Sequence, residues 1–362
     1  MKVIFILSSV VNTNSIKRVN EFVERGYDVK VYGFDRELNV ANRSDRIDIN
    51  RIATFNNSMS YGKRIAIYYK SIKTIVKETS KEDLYYLIGY DVALAFTLLS
   101  HRKYIYEEPD LTYVDGGKLF RQIGSFMDRH IIKKSVLSVF RSEGFPKFLY
   151  GDNCPDNVMA VTNRLNVQIL NIPRVPKKKI SGGLRIGFVG FLRYVTIYNF
   201  AEVLCRNFPQ HEMHFYGTGT VQSWNEKFES LDKYPNCHLH GAFKSPDDLP
   251  EIYSNLDLVL STYNTNSVNV RYAEPNKIYE AIYFDTPIIV SPDTFLADKV
   301  KRLGIGYDVD AMAEPQVIDF INSLTRESIN EKIQNMHKIP QEEVLNINDK
   351  LFRYLHEKNY RP

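Results

Sequence analysis

The chain has 362 residues, 44% hydrophobic and 25% charged, which excludes a disordered protein and leaves room for two domains of ordinary size. A net charge of +4 is too mild for a dedicated nucleic-acid binder, so no nucleic-acid partner is expected. No apolar run approaches the ~20 residues of a membrane span, and the isolated cysteines Cys154, Cys205 and Cys237 lack the C-x-x-C spacing of a zinc ribbon and argue for a reducing compartment.

Val3–Leu7 is a continuous apolar run, as in a parallel strand covered on both faces. With an amphipathic helix directly behind it, it reads as a first buried strand and not as a signal peptide, so a cytoplasmic protein is expected. Ser15–Arg25 sets Ile16, Val19, Phe22 and Val23 on one helical face and stops at Gly26. Strands are predicted at Val29–Phe34, Leu84–Ile88, Lys103–Tyr106 and Val136–Phe140, with helices between them. At Asn171–Gly183 the prolines, the lysine run and the Gly pair have no periodicity and predict a linker. A second α/β unit begins at Leu184–Val189, with further strands at Met213–Tyr216, Leu256–Leu260 and Pro287–Val290. Glu342–Glu357 is helical by its Val344, Leu345, Leu351, Phe352 and Leu355 pattern. This alternation predicts an α/β chain of two Rossmann-like, doubly wound domains, divided as 1–175 and 176–340 with a terminal segment 341–362.

Ligands of such domains bind outside the carboxyl ends of the strands, so residues just past the apolar runs carry the most information. In Ala273–Val290 a short helix opens with Glu274, Asn276, Lys277 and Glu280 at its mouth. Backbone N–H groups and Lys277 suit phosphate, and Glu280 suits a pair of ribose hydroxyls; the alternative is a capped surface helix. After Leu184–Val189, Gly190 allows close backbone approach and Arg193 offers a fork of donors for a diphosphate. Gly217 and Gly219 form a G-x-G turn after Met213–Tyr216. The Asn-rich stretch Ser261–Tyr272 must find partners for its polar groups, and its Arg271 is a candidate phosphate ligand. Ser8–Ser15 contains Asn12, Thr13 and Asn14 but no glycine, which argues against a dinucleotide fingerprint. The histidine pairs His211/His214 and His238/His240 lack completing ligands at metal spacing, so no metal site is expected.

Pro275–Ala281 reads P-N-K-I-Y-E-A, and with Ser15–Arg36, Tyr104–Leu111, Ser142–Phe145 and Arg185–Tyr194 in this order it resembles the family 4 glycosyltransferases of the GT-B fold. The resemblance is to the branch that builds bacterial capsular and surface polysaccharides. It implies two Rossmann-like domains facing a cleft, with the last helix crossing back onto the first. It implies a nucleoside diphosphate sugar as donor, no cofactor and no metal, and retention of configuration. The acceptor would be a glycan or lipid-linked glycan, polyprenyl-diphosphate-linked in this branch. Glu280 matches the second of the family's two glutamates; Glu274 falls two positions late for the first. The G-x-G turn occupies the loop that borders the nucleotide. The family's His-Asp pair is replaced here by Pro109-Asp110, leaving Glu107 and Asp110 either to orient the acceptor and stabilise charge on the sugar, or to serve as turn and capping acids.

Tyr61–Glu78 and Phe120–Lys134 are basic amphipathic segments in the acceptor-side half. They imply either solvated helix faces or contact with an anionic membrane, on the inner face of the plasma membrane. Two further readings fit the same sequence: a sugar-nucleotide 2-epimerase of the same fold, and a catalytically inactive partner in a polysaccharide assembly.

Overall fold

The computed structural model describes residues 1–10, 12–36, 48–55, 59–178, 182–347 and 349–362, without the side chains of Thr13 and Asp349. Residue 11 and the Thr13 side chain of the Ser8–Ser15 loop, residues 179–181 of the expected linker and residue 348 of the expected last helix lie outside the described residues. The chain divides into two units, Met1–Thr162 with Asn348–Pro362, and Asn163–Ile347. Among the described residues no helix is long and apolar enough to cross a membrane.

The first unit runs β1 (Val3–Leu7), α1 (Thr13–Glu24), β2 (Val29–Arg36), β3 (Ile49–Phe55), α2 (Tyr61–Glu78), β4 (Leu84–Ile88), α3 (Tyr90–Leu99), β5 (Tyr104–Glu108), α4 (Lys118–Lys134), β6 (Leu137–Phe140), α5 (Gly144–Tyr150) and β7 (Val158–Ala160). The strands form a parallel sheet in the order β3-β2-β1-β4-β5-β6-β7. β1 and β4 are buried at every position, which is why their sequences are unbroken apolar runs. Val3, Phe5 and Leu7 share one face with Val19 and Phe22 of α1. α1 starts two residues ahead of the predicted helix because the Asn12 side chain accepts from the Ser15 N–H at 3.1 Å and fixes the turn. β3 was not legible, since INRIATF lies half exposed at the sheet edge and lacks a clean apolar run.

The second unit opens with a 3₁₀ turn at Val167–Asn171. It continues through β8 (Arg185–Val189), α6 (Val195–Asn207), β9 (Glu212–Tyr216), α7 (Gln222–Glu229), β10 (Cys237–Gly241), α8 (Leu249–Ser254), β11 (Leu258–Ser261), α9 (Val268–Tyr272) and α10 (Lys277–Tyr283). It closes with β12 (Ile288–Val290), α11 (Phe295–Leu303), β13 (Gly306–Asp308), α12 (Glu314–Ser323), α13 (Arg326–Met336) and α14 (Gln341–Val344). Its parallel sheet has the order β10-β9-β8-β11-β12-β13, reversing direction between β8 and β11. One face packs Val189, Val259, Ile288 and Val290 against α8, α10 and α11; the other packs Ile186, Phe188, Met213 and Phe215 against α6, α7 and α12. The division falls at Thr162/Asn163, ahead of the boundary predicted at 175/176. Leu165 and Ile169 pack into the second core, and Lys177 Nζ donates to the carbonyls of Tyr253 and Leu256 at 2.9 and 2.8 Å.

The helix predicted over Glu342–Glu357 is two pieces, α14 and α15 (Asp349–Glu357). Leu345 leaves the helix to bridge Leu165, and the Asn346 N–H donates to the Leu165 carbonyl at 2.7 Å. Asn346 is a weak helix former, so this extended pairing wins locally. α15 belongs to the first unit. Leu351, Phe352 and Leu355 enter its core beside Phe22 and Tyr27, and the Tyr27 hydroxyl donates to the Tyr360 carbonyl at 2.8 Å.

Candidate functional site

The reversal of strand order makes the carboxyl ends of β8 and β11 the crevice of the second sheet. β8 ends in Gly190, with φ +142°, and β9 in Gly217, with φ +138°, both in the region that favours glycine. A Cβ on Gly217 would lie 1.9 Å from the Gly190 carbonyl oxygen, so the two turns meet backbone to backbone and neither sequence is free there. The Gly190 N–H donates to the Tyr216 carbonyl at 2.8 Å, and the Leu192 N–H to Thr218 at 2.9 Å. Gly219 is fixed through its N–H, which donates to Asn225 Oδ1 at 2.6 Å.

Lys277 is the first residue of α10, and it reaches this floor. A Cβ on Gly190 would stand 3.1 Å from Lys277 Nζ. The ammonium lies 4.6 Å from the centroid of the Phe188 ring and 3.4 Å from the Tyr263 hydroxyl oxygen. The Arg193 guanidinium covers the Tyr194 ring, and its Nε donates to the Tyr194 hydroxyl at 2.9 Å. Tyr194 meets Tyr263 edge to face at 4.7 Å. Two cations, one from the loop after β8 and one from the start of α10, therefore flank one tyrosine pair, and neither forms an ion pair among the described residues. Tyr263 is fixed by Ser291, whose Oγ accepts from its N–H and donates to its carbonyl, both at 2.8 Å.

Glu280 sits one turn into α10 and accepts from the Tyr253 hydroxyl at 2.7 Å. Burial raises its carboxyl above the ordinary range, against the pull of Lys277 and of the Tyr253 hydrogen bond. The backbone half of the predicted phosphate cradle is weaker than expected. In the first turn of α10 the N–H groups of Ile278 and Tyr279 already donate to the carbonyls of Pro275 and Asn276, at 3.4 and 2.9 Å. The Asn276 side chain makes no capping bond and is exposed. Arg271, at the end of α9, is exposed, and its side chain makes no hydrogen bond or ion pair among the described residues.

Glu274 is buried, not at the mouth of a surface helix. It accepts from Lys299 Nζ at 2.6 Å and from the Tyr279 hydroxyl, while its Oε2 has no partner among the described residues. Three tyrosines that organise this site, Tyr194, Tyr253 and Tyr263, were not singled out from sequence. Tyr194 and Tyr263 each follow an apolar run, but nothing there distinguishes them from the other tyrosines of an aromatic-rich chain.

In the first unit the predicted strand end at Tyr106 is corrected, because β5 continues through Glu107 and Glu108. Glu107 is fully buried. One oxygen accepts from Arg18 Nε at 2.9 Å and Tyr86 Oη at 2.5 Å, the other from Arg141 Nε at 2.8 Å. Burial would push its carboxyl up, but the guanidinium groups of Arg18 and Arg141 and the tyrosine bring it down to about 2. Both oxygens are engaged, so Glu107 is a keystone of the first unit and does not present a free carboxylate to an acceptor. Asp110 is exposed in a bend, and no helix starts there, so the capping expectation does not hold. Sequence reasoning passed over the neighbouring acid pair. Burial raises Glu108 well above the carboxylate range and Asp128 to about 6; the Tyr106 hydroxyl lies within hydrogen-bond distance of both, and Tyr113 donates to Asp128 at 2.7 Å.

No protein-family model matches this chain, and no curated protein matches it. Among solved structures it is similar to HepE of Anabaena in complex with UDP, at 14% identity over 99% of this chain and 100% of that one, with a TM-score of 0.70. It is also similar to a sucrose-phosphate synthase from Thermosynechococcus elongatus, at 12% identity over 99% and 100% of the two chains and a TM-score of 0.68. The apo form of WaaB, a lipopolysaccharide outer core galactosyltransferase, aligns at 16% identity over 99% and 100% with a TM-score of 0.66. At these identities the similarity shows the fold, which is GT-B: two Rossmann-like units, each built on a parallel sheet.

Proposed function

We propose that the chain is a metal-independent glycosyltransferase that moves a sugar from a nucleoside diphosphate donor to a glycan acceptor. The observation that carries this reading is the meeting of Lys277 Nζ with the Gly190–Gly217 floor, one helical turn from the Glu280 carboxylate. A diphosphate needs close backbone approach and unpaired positive charge, and both converge here. A ribose needs a fixed acceptor, which Glu280 supplies one turn along α10. Lys277 and Arg193 then act on the departing nucleoside diphosphate, where negative charge accumulates as the glycosidic bond breaks. The UDP complexes of HepE make uridine the first base to test.

Retention of configuration and a polyprenyl-linked surface-glycan acceptor follow from the family resemblance. A peripheral membrane position at the inner face of the plasma membrane is supported by α4, whose Leu119, Ile123 and Phe126 are 69%, 55% and 71% exposed. These apolar groups stand among Lys118, Arg121 and Arg129, while Lys63, Lys70, Lys73 and Lys77 of α2 are exposed as well. Apolar side chains beside lysines and arginines match an interfacial helix better than a merely solvated one.

Calorimetric titration with UDP, GDP, ADP and CMP, followed by product analysis with the matching sugar nucleotide, tests the function. One nucleoside diphosphate binding in the micromolar range, with sugar transfer to a glycan, is the expected result. No binding by any of the four, or donor epimerisation without transfer, refutes it.

A further inference from the structure

Away from the donor loops, the edge of the second sheet gathers Glu212 and His214 on β9 with His238 and His240 on β10. The sequence is E-x-H on one strand and H-x-H on the next, and a period of two sends all four side chains to the same face. Met213, Phe215 and Leu239 alternate with them into the core on the other face. The parallel register sets His238 beside His214, with ring centroids 4.8 Å apart. Glu212 Oε2 lies 3.0 Å from His214 Nε2, and His240 Nε2 lies 3.0 Å from His214 Nδ1. The ligand atoms of Glu212, His214 and His238 all lie within 4.8 Å of one another.

We propose that Glu212, His214 and His238 form a binding site for a divalent transition-metal cation of the zinc class, with His240 orienting His214. Two imidazoles and a carboxylate are the donor set of borderline cations, in contrast to the all-oxygen shells of calcium and magnesium. Bonds of about 2.0–2.1 Å place tetrahedral donors about 3.4 Å apart. Glu212 and His214 already stand close to that spacing, and rotation of the half-buried His238 ring brings in the third donor. His240 binds the far nitrogen of His214, leaving Nε2 for the metal, which is the second contact that fixes a ligating imidazole.

An open cavity of about 640 Å³, lined in part by Glu212, His214 and His240, leaves the fourth position to water. The cavity also holds Arg185 and Lys178, but Asp257 pairs with the first at 3.2 Å and Glu251 with the second at 2.7 Å. Asp257 also pairs with Arg326 at 2.9 Å, so these charges are compensated in part before a cation arrives. Five residues of strand, about 16 Å, separate Glu212 from Gly217, so this site does not rest on the donor site. The metal would tie the edge strand β10 to β9. Sequence spacing hid the site because it paired His214 with His211, whose Nδ1 instead accepts from the Leu184 N–H at 2.9 Å.

The test uses the full chain without a histidine tag, stripped with chelator and titrated with Zn²⁺ by calorimetry and with Co²⁺ by visible absorption. One equivalent of Zn²⁺, a four-coordinate Co²⁺ spectrum and a rise in melting temperature with Zn²⁺ are expected. His238→Ala and Glu212→Gln, both at partly exposed positions, should each weaken Zn²⁺ at least tenfold. His240→Ala should weaken it by about 10–100-fold, as loss of an orienting partner does. His101→Ala should change nothing, and UDP affinity should be the same in every variant. Absence of stoichiometric Zn²⁺ binding at micromolar concentration, or undiminished binding in both His238→Ala and Glu212→Gln, overturns the proposal.

Discussion

Replacing Lys277 with Met keeps an unbranched chain of similar length and removes the ammonium that stands over the Gly190 turn. A diphosphate oxygen seated on that turn would lie about 4 Å from Nζ. At an effective dielectric constant near 20, one unit of charge at that distance is worth about 4 kcal/mol. The bound donor already carries part of that interaction, and only the charge that develops during bond breaking raises kcat. If about half a unit of charge develops, the transition state loses about 2 kcal/mol relative to the bound donor, roughly a 30-fold fall in kcat. The protein itself loses a cation over the Phe188 ring, about 0.5–1 kcal/mol, so the melting temperature should hardly move. The assay is steady-state release of the nucleoside diphosphate under saturating donor, with Lys277→Arg as the charge-preserving control. A Met variant whose kcat stays within threefold of the parent would refute the assignment of leaving-group stabilisation to Lys277.

Glu280→Ala should weaken nucleotide affinity by about 1.5–3 kcal/mol, the scale of a charged hydrogen bond, while Tyr253→Phe should weaken it less because the carboxylate remains; calorimetry on both variants separates ribose contact from packing. Acid stability should pass through a maximum near pH 4–5. Glu107 is lowered to about 2, so its contribution is complete above about 4.5 and is lost as pH falls toward 2; Asp128 is raised from 3.8 to about 6, so its contribution is present below 3.8 and is lost as pH rises through 6. Asp128→Asn should flatten the fall between pH 4 and 6, worth up to about 3 kcal/mol, and Glu107→Gln should cost about 3–5 kcal/mol by leaving buried Arg141 without its carboxylate and Arg18 with Glu21 alone; urea unfolding across pH decides both, and an unaltered profile in Asp128→Asn counts against the buried acid pair. Reversal of Lys63, Arg64, Lys70 and Lys73 to Glu, or replacement of Leu119, Ile123 and Phe126 by Ser, should release the protein from anionic vesicles; equal co-sedimentation of parent and variants at low salt would end the membrane proposal.

The sequence was most informative where one residue type had to serve one backbone role. Apolar runs buried on both faces, such as VIFIL and LYYLI, located β1 and β4 to the residue. Gly190 and Gly217 were legible because a side chain at either turn meets an obstacle. Glu107 was misplaced because an acid after an apolar run reads as a loop residue. Its buried partners, Arg18, Tyr86 and Arg141, lie far away in sequence and leave no local trace. Glu274 was hidden in the same way by Lys299. The edge strands β3 and β10 escaped because half of each faces outward, where polar residues carry no strand signal.

The return of segment Asn348–Pro362 to the first unit has a consequence for biosynthesis. The ribosome must add the whole second unit between Thr162 and Asn348 before α15 exists. At about 5–20 residues per second that interval lasts roughly 10–40 s. Throughout it, Phe22 and Tyr27 lack the aromatic neighbour Phe352, and the Tyr27 hydroxyl lacks its carbonyl at Tyr360. The nascent first unit thus spends its early life with an uncovered apolar groove, a natural substrate for ribosome-associated chaperones. A stop codon ahead of Leu351 should make that exposure permanent and send the product to proteolysis.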